Sequence, residues 1–142
     1  MYGSMTGRNK QEIENELGEE KCRILRRYHN VAAPPLGKDN TLHPIHDPKY
    51  YFLPPDALPD TEDLVACMER ALPSWYDEIC PALYQGNKVL ISAHGNSLRA
   101  LIMHLENLSG EEIADIDVPN AIPILYTLDG DMKPIKKELL AL

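Results

Sequence analysis

The chain has 142 residues, 44% hydrophobic and 25% charged, with a formal net charge of −8. That length suits a single domain burying roughly two-thirds of its unfolded surface, enough for one core. The acidic balance argues against a nucleic-acid-binding domain, which carries a basic excess on one face, but not against a small anion held by a few clustered cations.

Cys22, Cys67 and Cys80 form no Cys-x-x-Cys pair. They read as reduced thiols of a cytosolic chain rather than as a disulfide framework or a zinc site. No stretch approaches the ~18 apolar residues of a membrane span. The N-terminal MYGSMTGRNK lacks the apolar core of a secretory signal. The expected location is cytoplasmic, with neither membrane nor nucleic acid as partner.

Residues 9–17 predict a short helix, with Asn9 as its cap, Glu12 three residues on, and Gly18 as its stop. Residues 19–28 predict a second, opened by acids and closed by cations in keeping with the helix dipole, with Cys22, Leu25 and Tyr28 on one face. From Asn30 to Pro59, seven prolines forbid a regular helix or central strand and predict a long loop. Asp60, Glu62 and Asp63 then open a helix toward Leu83 that Pro73 and Pro81 kink or split. Lys88 to Ala93, KVLISA, reads as a strand buried on both faces. A helix over residues 97–107 follows, and ILYTLDGDMKPIKKELL reads as a hairpin turning at Asp129-Gly130. The class is α/β. A central strand needs neighbours on both sides, and about three strands do not supply them, so the chain reads as part of a larger α/β domain.

SAHGNS carries the chemistry. A strand that ends in a glycine turn and feeds a helix exposes backbone N–H groups where open α/β sheets bind ligands, and a helix start attracts anions. His94 would face such a site as donor or proton carrier, Gly95 would allow close approach, and Asn96 could donate. Against this stands the ordinary role of a histidine after a strand, a partly buried cap. A second cluster holds Lys10, Arg26 and Arg27; arginine suits bidentate contacts to phosphate or carboxylate. Adjacent helical residues point about 100° apart, so both arginines reach one ligand only near a helix end. Residues 8–27 hold six cations and five acids, and such a mixed run by itself reads as a solvated face. His43, His46 and Asp47 have too loose a spacing for a metal site, so no metal is expected.

Three stretches in order, YGSMTGRNK, then RILRRYHNVAAPPL with HPIHDPKY, then VLISAHGNSLRALIMHLENLSGEEI with DVPNAIPILYTLD, resemble the cofactor-dependent phosphoglycerate mutase family of the histidine phosphatase superfamily. The resemblance runs from Tyr2 to about Lys137. It implies a three-layer fold with a mostly parallel central sheet, as one partial domain over residues 1–142 whose N-terminal strands are missing. It implies a glycolytic and gluconeogenic isomerase that interconverts 3- and 2-phosphoglycerate through a phosphohistidine. 2,3-Bisphosphoglycerate serves as the primer, no metal is involved, and dimers or tetramers of identical chains are the usual assembly. Tyr2, Lys10, Arg26 and Arg27 match the family's substrate-binding positions, Gly95 and Asn96 a phosphate-binding pair, and His94 the second active-site histidine.

The departures are as informative. No Arg-His-Gly occurs among these residues, so the family's nucleophilic histidine has no counterpart, and neither has the glutamate that precedes its Tyr-Gly motif. The expectation is little or no turnover by this polypeptide alone, whether it is a fragment, a truncated gene product or a degenerate copy. The alternative is a non-catalytic remnant or pseudoenzyme that binds an anion, or a partner through its uncovered sheet edge. The resemblance includes the bisphosphoglycerate mutase branch, a variant with the same site. A general phosphatase is disfavoured by YGSMTGRNK and the Arg26-Arg27 pair.

Overall fold

The structure, a computed structural model, describes residues 2–140, with Arg26 described in its backbone only. It divides into two compact units, one up to Leu64 and one from Val65.

In the first unit a 3-10 turn at Gly3–Met5 leads to α1 (Lys10–Leu17) and α2 (Glu19–Arg27). Asn9 caps α1 by accepting from the Gln11 N–H at 2.8 Å, and Gly18 separates the helices at φ 85°, in the region that favours glycine. Met5, Ile13, Cys22 and Ala33 form the core of this unit, with Leu17 and Leu25 packed against it. The predicted apolar face of α2 therefore holds for Cys22 and Leu25. It fails for Tyr28, which lies past the last helical residue with extended backbone and an exposed ring.

Gly3 fixes the entry of the chain. It has φ +53°, and a Cβ there would stand 2.2 Å from the Pro34 carbonyl oxygen and 2.8 Å from Thr61 Oγ1. The same Pro34 oxygen accepts from the Ser4 N–H at 2.7 Å. Gly3→Ala is expected to cost about 1–3 kcal/mol, from positive φ and backbone crowding together. A urea titration checks this; unchanged stability would show that the turn relaxes freely.

The proline-rich loop is ordered by short 3-10 turns beginning at Pro44, Pro48 and Pro55, where a fixed φ suits the first helical position. His43, 1% exposed, is its anchor. Its Nδ1 accepts from the Ile45 N–H at 3.1 Å and its Nε2 lies 2.8 Å from Asp60 Oδ1. His46 Nε2 lies 2.8 Å from the Lys38 carbonyl oxygen, and Asp47 caps the next turn at the Lys49 N–H. His43, His46 and Asp47 thus serve four separate partners, the Ile45 and Lys49 N–H groups, the Lys38 carbonyl and the Asp60 carboxylate.

The long helix begins at Leu64, the last residue of the first unit and the first after the three acids, and comes in three pieces: α3 (Leu64–Ser74), a π-helical turn (Trp75–Ile79) and α4 (Cys80–Tyr84). Pro73 and Pro81 lack the N–H needed for the ordinary register. Between them the Cys80 N–H reaches back five residues to the Trp75 carbonyl. α5 (Gly95–Glu106) and α6 (Gly110–Asp115) precede an antiparallel pair, β1 (Ile124–Leu128) and β2 (Pro134–Leu139). The hairpin matches its sequence pattern, with Asp129 Oδ1 accepting from the N–H groups of Asp131 and Lys133 at 2.9 Å each.

Lys88–Ala93 corrects the expectation. It is not a strand here, because a strand exists only through its ladder, and among the described residues nothing pairs with it. Nor is it buried: Val89 is 39% and Leu90 88% exposed. The segment borders an apolar groove of about 480 Å³, with Ile91, Leu98, Leu101 and Ile124 among its walls. The single described sheet is antiparallel and two-stranded, so the coarse α/β class stands, while the expected mostly parallel central sheet is not among the described residues.

The hairpin is tied to the end of α5. The Tyr126 hydroxyl donates to Glu106, Lys137 Nζ lies 2.8 Å from the same carboxylate, and Lys137 sits 5.7 Å from the Tyr126 ring centre. Burial alone raises the Glu106 pKa, but hydrogen bonds from Lys137 and Tyr126 and the Lys137 charge outweigh it and hold the carboxyl below its usual range. A depressed folded-state pKa contributes stability above the unfolded value near ~4.3, lost as pH falls through the folded value. Melting temperature should therefore drop on acidification below about pH 4.3, and Glu106→Gln should flatten that limb. An unchanged acid limb in the variant would assign the loss to other carboxylates.

Candidate active site

The site is built from the start of α5. His94 leaves the extended segment with φ −66° and ψ 147° and takes the N-cap position, where its Nδ1 accepts from the Asn96 N–H at 3.2 Å. Serine, threonine, aspartate or asparagine is the usual choice for a cap. A histidine does the same job with one ring nitrogen and has a second besides. With Nδ1 accepting, the ring proton resides on Nε2, so His94 presents a donor at an exposed position.

Gly95 is the first helical residue, and a Cβ added there would meet nothing within 4 Å. A ligand oxygen can therefore approach the backbone closely. The first turn of α5 carries no acid, so the positive end of its dipole is not cancelled locally. Asn96 is half-buried, and its Oδ1 accepts from Arg99 Nη1 at 3.4 Å. The other terminal guanidinium nitrogen, Nη2, donates to the Ile113 carbonyl at 2.6 Å. An imidazole N–H donor, an open glycine, a carboxamide and a helix start together suit a tetrahedral anion, and a proton can be supplied to one of its oxygens.

The remaining sequence-predicted residues belong to the first unit. Tyr2 is exposed just before the Gly3–Met5 turn, Lys10 is the exposed first residue of α1, and Arg27 is the half-buried last residue of α2. The helix does end at the arginine pair, the condition for the two to share a ligand; the Arg26 side chain lies outside the described residues. The structure brings His94, Gly95 and Asn96 together in the second unit, and Tyr2, Lys10 and Arg27 lie in the other. Arg99 was missed by sequence reasoning. Its signal was a cation inside the apolar stripe SLRALI, and it is buried rather than solvated. All three cysteines are buried and free. No described helix is long and apolar enough to cross a membrane.

The chain is 45% identical over 134 residues to a 2,3-bisphosphoglycerate-dependent phosphoglycerate mutase of Nitratidesulfovibrio vulgaris, covering 94% of this chain and 54% of that protein. Proteins of the same name from Streptomyces griseus and Borreliella afzelii are each 44% identical over 135 residues, covering 95% of this chain and 53% and 54% of theirs. The chain thus spans about half the length of the curated relatives it matches. Residues 42–137, which include the His94 cap and β1, match the family described as Histidine phosphatase superfamily (branch 1). The chain therefore belongs to the histidine phosphatase superfamily, branch 1.

Proposed function

We propose that this chain carries the substrate-binding and second-histidine portion of a 2,3-bisphosphoglycerate-dependent phosphoglycerate mutase, a cytoplasmic isomerase that interconverts 3- and 2-phosphoglycerate. The observation that carries the reading is the His94 cap at the start of α5, in which Nδ1 accepts from the Asn96 N–H beside an open Gly95 and leaves the ring proton on Nε2. In this reading His94 donates from Nε2 to an oxygen of the transferring phosphoryl group, and Gly95 and Asn96 hold that group. Tyr2, Lys10, Arg26 and Arg27 bind the phosphate and carboxylate of the three-carbon acid. The work is positioning and charge stabilisation by preorganised donors, which phosphoryl transfer needs most.

The same residues fit 2,3-bisphosphoglycerate, since the helix start leaves space beside Gly95 and carries no opposing acid in its first turn. That cofactor, when bound, supplies a phosphoryl group. No Arg-His-Gly occurs in this sequence, so turnover is assigned to a polypeptide that also carries that segment. In the same reading, residues 1–142 form one partial domain of a three-layer fold, assembled as an oligomer of identical chains. Lys88–Ala93 becomes a central strand of its mostly parallel sheet once flanking strands are present.

The test is a titration of the ¹⁵N-labelled chain with 3-phosphoglycerate. Amide shifts centred on Gly95 and Asn96, with His94 imidazole resonances moving in step, are expected. A folded sample with no change at residues 94–96 at millimolar ligand would reject the assignment.

A further inference from the structure

We infer that Arg99 is a positioning residue: its guanidinium holds the Asn96 carboxamide so that the amide NH₂, not the oxygen, meets the bound anion. This rests on the reading of residues 94–96 given above. Arg99 is 4% exposed, and a guanidinium is taken out of water only at a cost that its hydrogen bonds must offset. One arm of its fork, Nη2, is fixed on the Ile113 carbonyl at 2.6 Å. That acceptor is itself immobile. Ile113 is fully buried, and α6 is closed by a reciprocal capping box in which the Ser109 N–H donates to Glu112 Oε2 at 2.8 Å and the Glu112 N–H to Ser109 Oγ at 3.3 Å.

A guanidinium is planar and rigid, so pinning one arm aims the other. The second arm, Nη1, donates to Asn96 Oδ1 at 3.4 Å. An amide whose oxygen accepts from a cation presents its two N–H donors elsewhere. Orientation decides the sign of the interaction, because NH₂ attracts a phosphate oxygen and a flipped carbonyl repels it. The Asn96 backbone N–H donates to His94 Nδ1, so Asn96 supports the cap through its main chain while Arg99 sets its side chain. A chain of contacts thus runs from α6 through Arg99 to the anion site without Arg99 touching the ligand.

The experiment uses the full 142-residue chain, inorganic phosphate as the probe, and four variants: Asn96→Ala, Arg99→Lys, Arg99→Met and Asn96→Ala/Arg99→Lys. Lysine keeps the charge and can reach the Ile113 carbonyl but cannot fork to Asn96, so it stands in where methionine fails to fold. Arg99→Lys is expected to weaken phosphate about threefold to tenfold, the worth of one hydrogen bond, and to shift the Asn96 side-chain NH₂ resonances. With Asn96→Ala already present, the same change should cost less than twofold. An equal loss in both backgrounds would mean that Arg99 acts through general field or packing, and would overturn positioning. Wild-type affinity in folded Arg99→Lys, alongside weakened binding in Asn96→Ala, would overturn it too while leaving the anion site standing. Unchanged affinity in Asn96→Ala, or no phosphate binding by the wild-type chain, would remove the site reading and this inference together.

Discussion

Supplied with 3-phosphoglycerate and 2,3-bisphosphoglycerate, the purified 142-residue chain is expected to give no mutase turnover. A chimera in which it replaces the matching stretch of the Nitratidesulfovibrio vulgaris relative is expected to turn over. His94→Ala in that chimera should lower kcat by about 10²- to 10⁴-fold, the range for loss of a placed proton donor. Two structural facts set this expectation. His94 holds the α5 cap with Nδ1, so the alanine variant loses the Nε2–H and the cap together. His94→Asn separates the two, because asparagine is a good cap without an imidazole; it should restore melting temperature and leave kcat low. Turnover by the chain alone, abolished by His94→Ala, would show that a group within these residues carries the phosphoryl. A chimera indifferent to His94→Ala would remove the histidine from the chemistry.

Ile113→Ala is expected to have the largest effect on stability, a loss of about 2–5 kcal/mol. Ile113 is 0% exposed, and α6 is only six residues long, too short to persist without docking. Its side chain seats that helix, while its carbonyl receives the Arg99 guanidinium. Truncation therefore leaves a cavity and loosens the acceptor of a buried cation at once. Ile113→Val should cost about 0.5–1.5 kcal/mol by the same logic. Urea titrations of both variants check the series; a loss below 1 kcal/mol for alanine would mean that the site collapses around the smaller side chain.

What was legible in the sequence were the elements whose signals are local. Asn9 and Gly18 bracket α1 as their residue types dictate, and Asp129-Gly130 turns the hairpin. The α6 signal, Ser109-x-x-Glu112, is equally local and was passed over. The histidine–glycine–asparagine run was readable as a helix start, but α5 begins two residues earlier than its apolar periodicity indicated, and His94 takes the cap position that the sequence offered as its ordinary role. Features fixed at a distance were not readable. KVLISA has a strand's composition, yet pairing depends on neighbours its own residues cannot specify. The burial of Arg99 depends on the Ile113 carbonyl, fourteen residues on. Tyr28 follows the helical period but sits one residue past the helix end, where periodicity stops applying.

The exposed ribbon at Lys88–Ala93 has a colloidal consequence. It is a short run rich in β-branched and aliphatic residues, with no proline and one charge, which is the composition of segments that stack into cross-β fibrils. With no described neighbour on either edge, it offers a template to other copies. What opposes stacking is the chain's formal net charge of −8, a repulsion that acts over about a Debye length and shrinks as ions are added. For this polypeptide, raising the ionic strength should therefore lower solubility, the reverse of simple salting-in, and low-salt buffer is the condition in which it keeps longest.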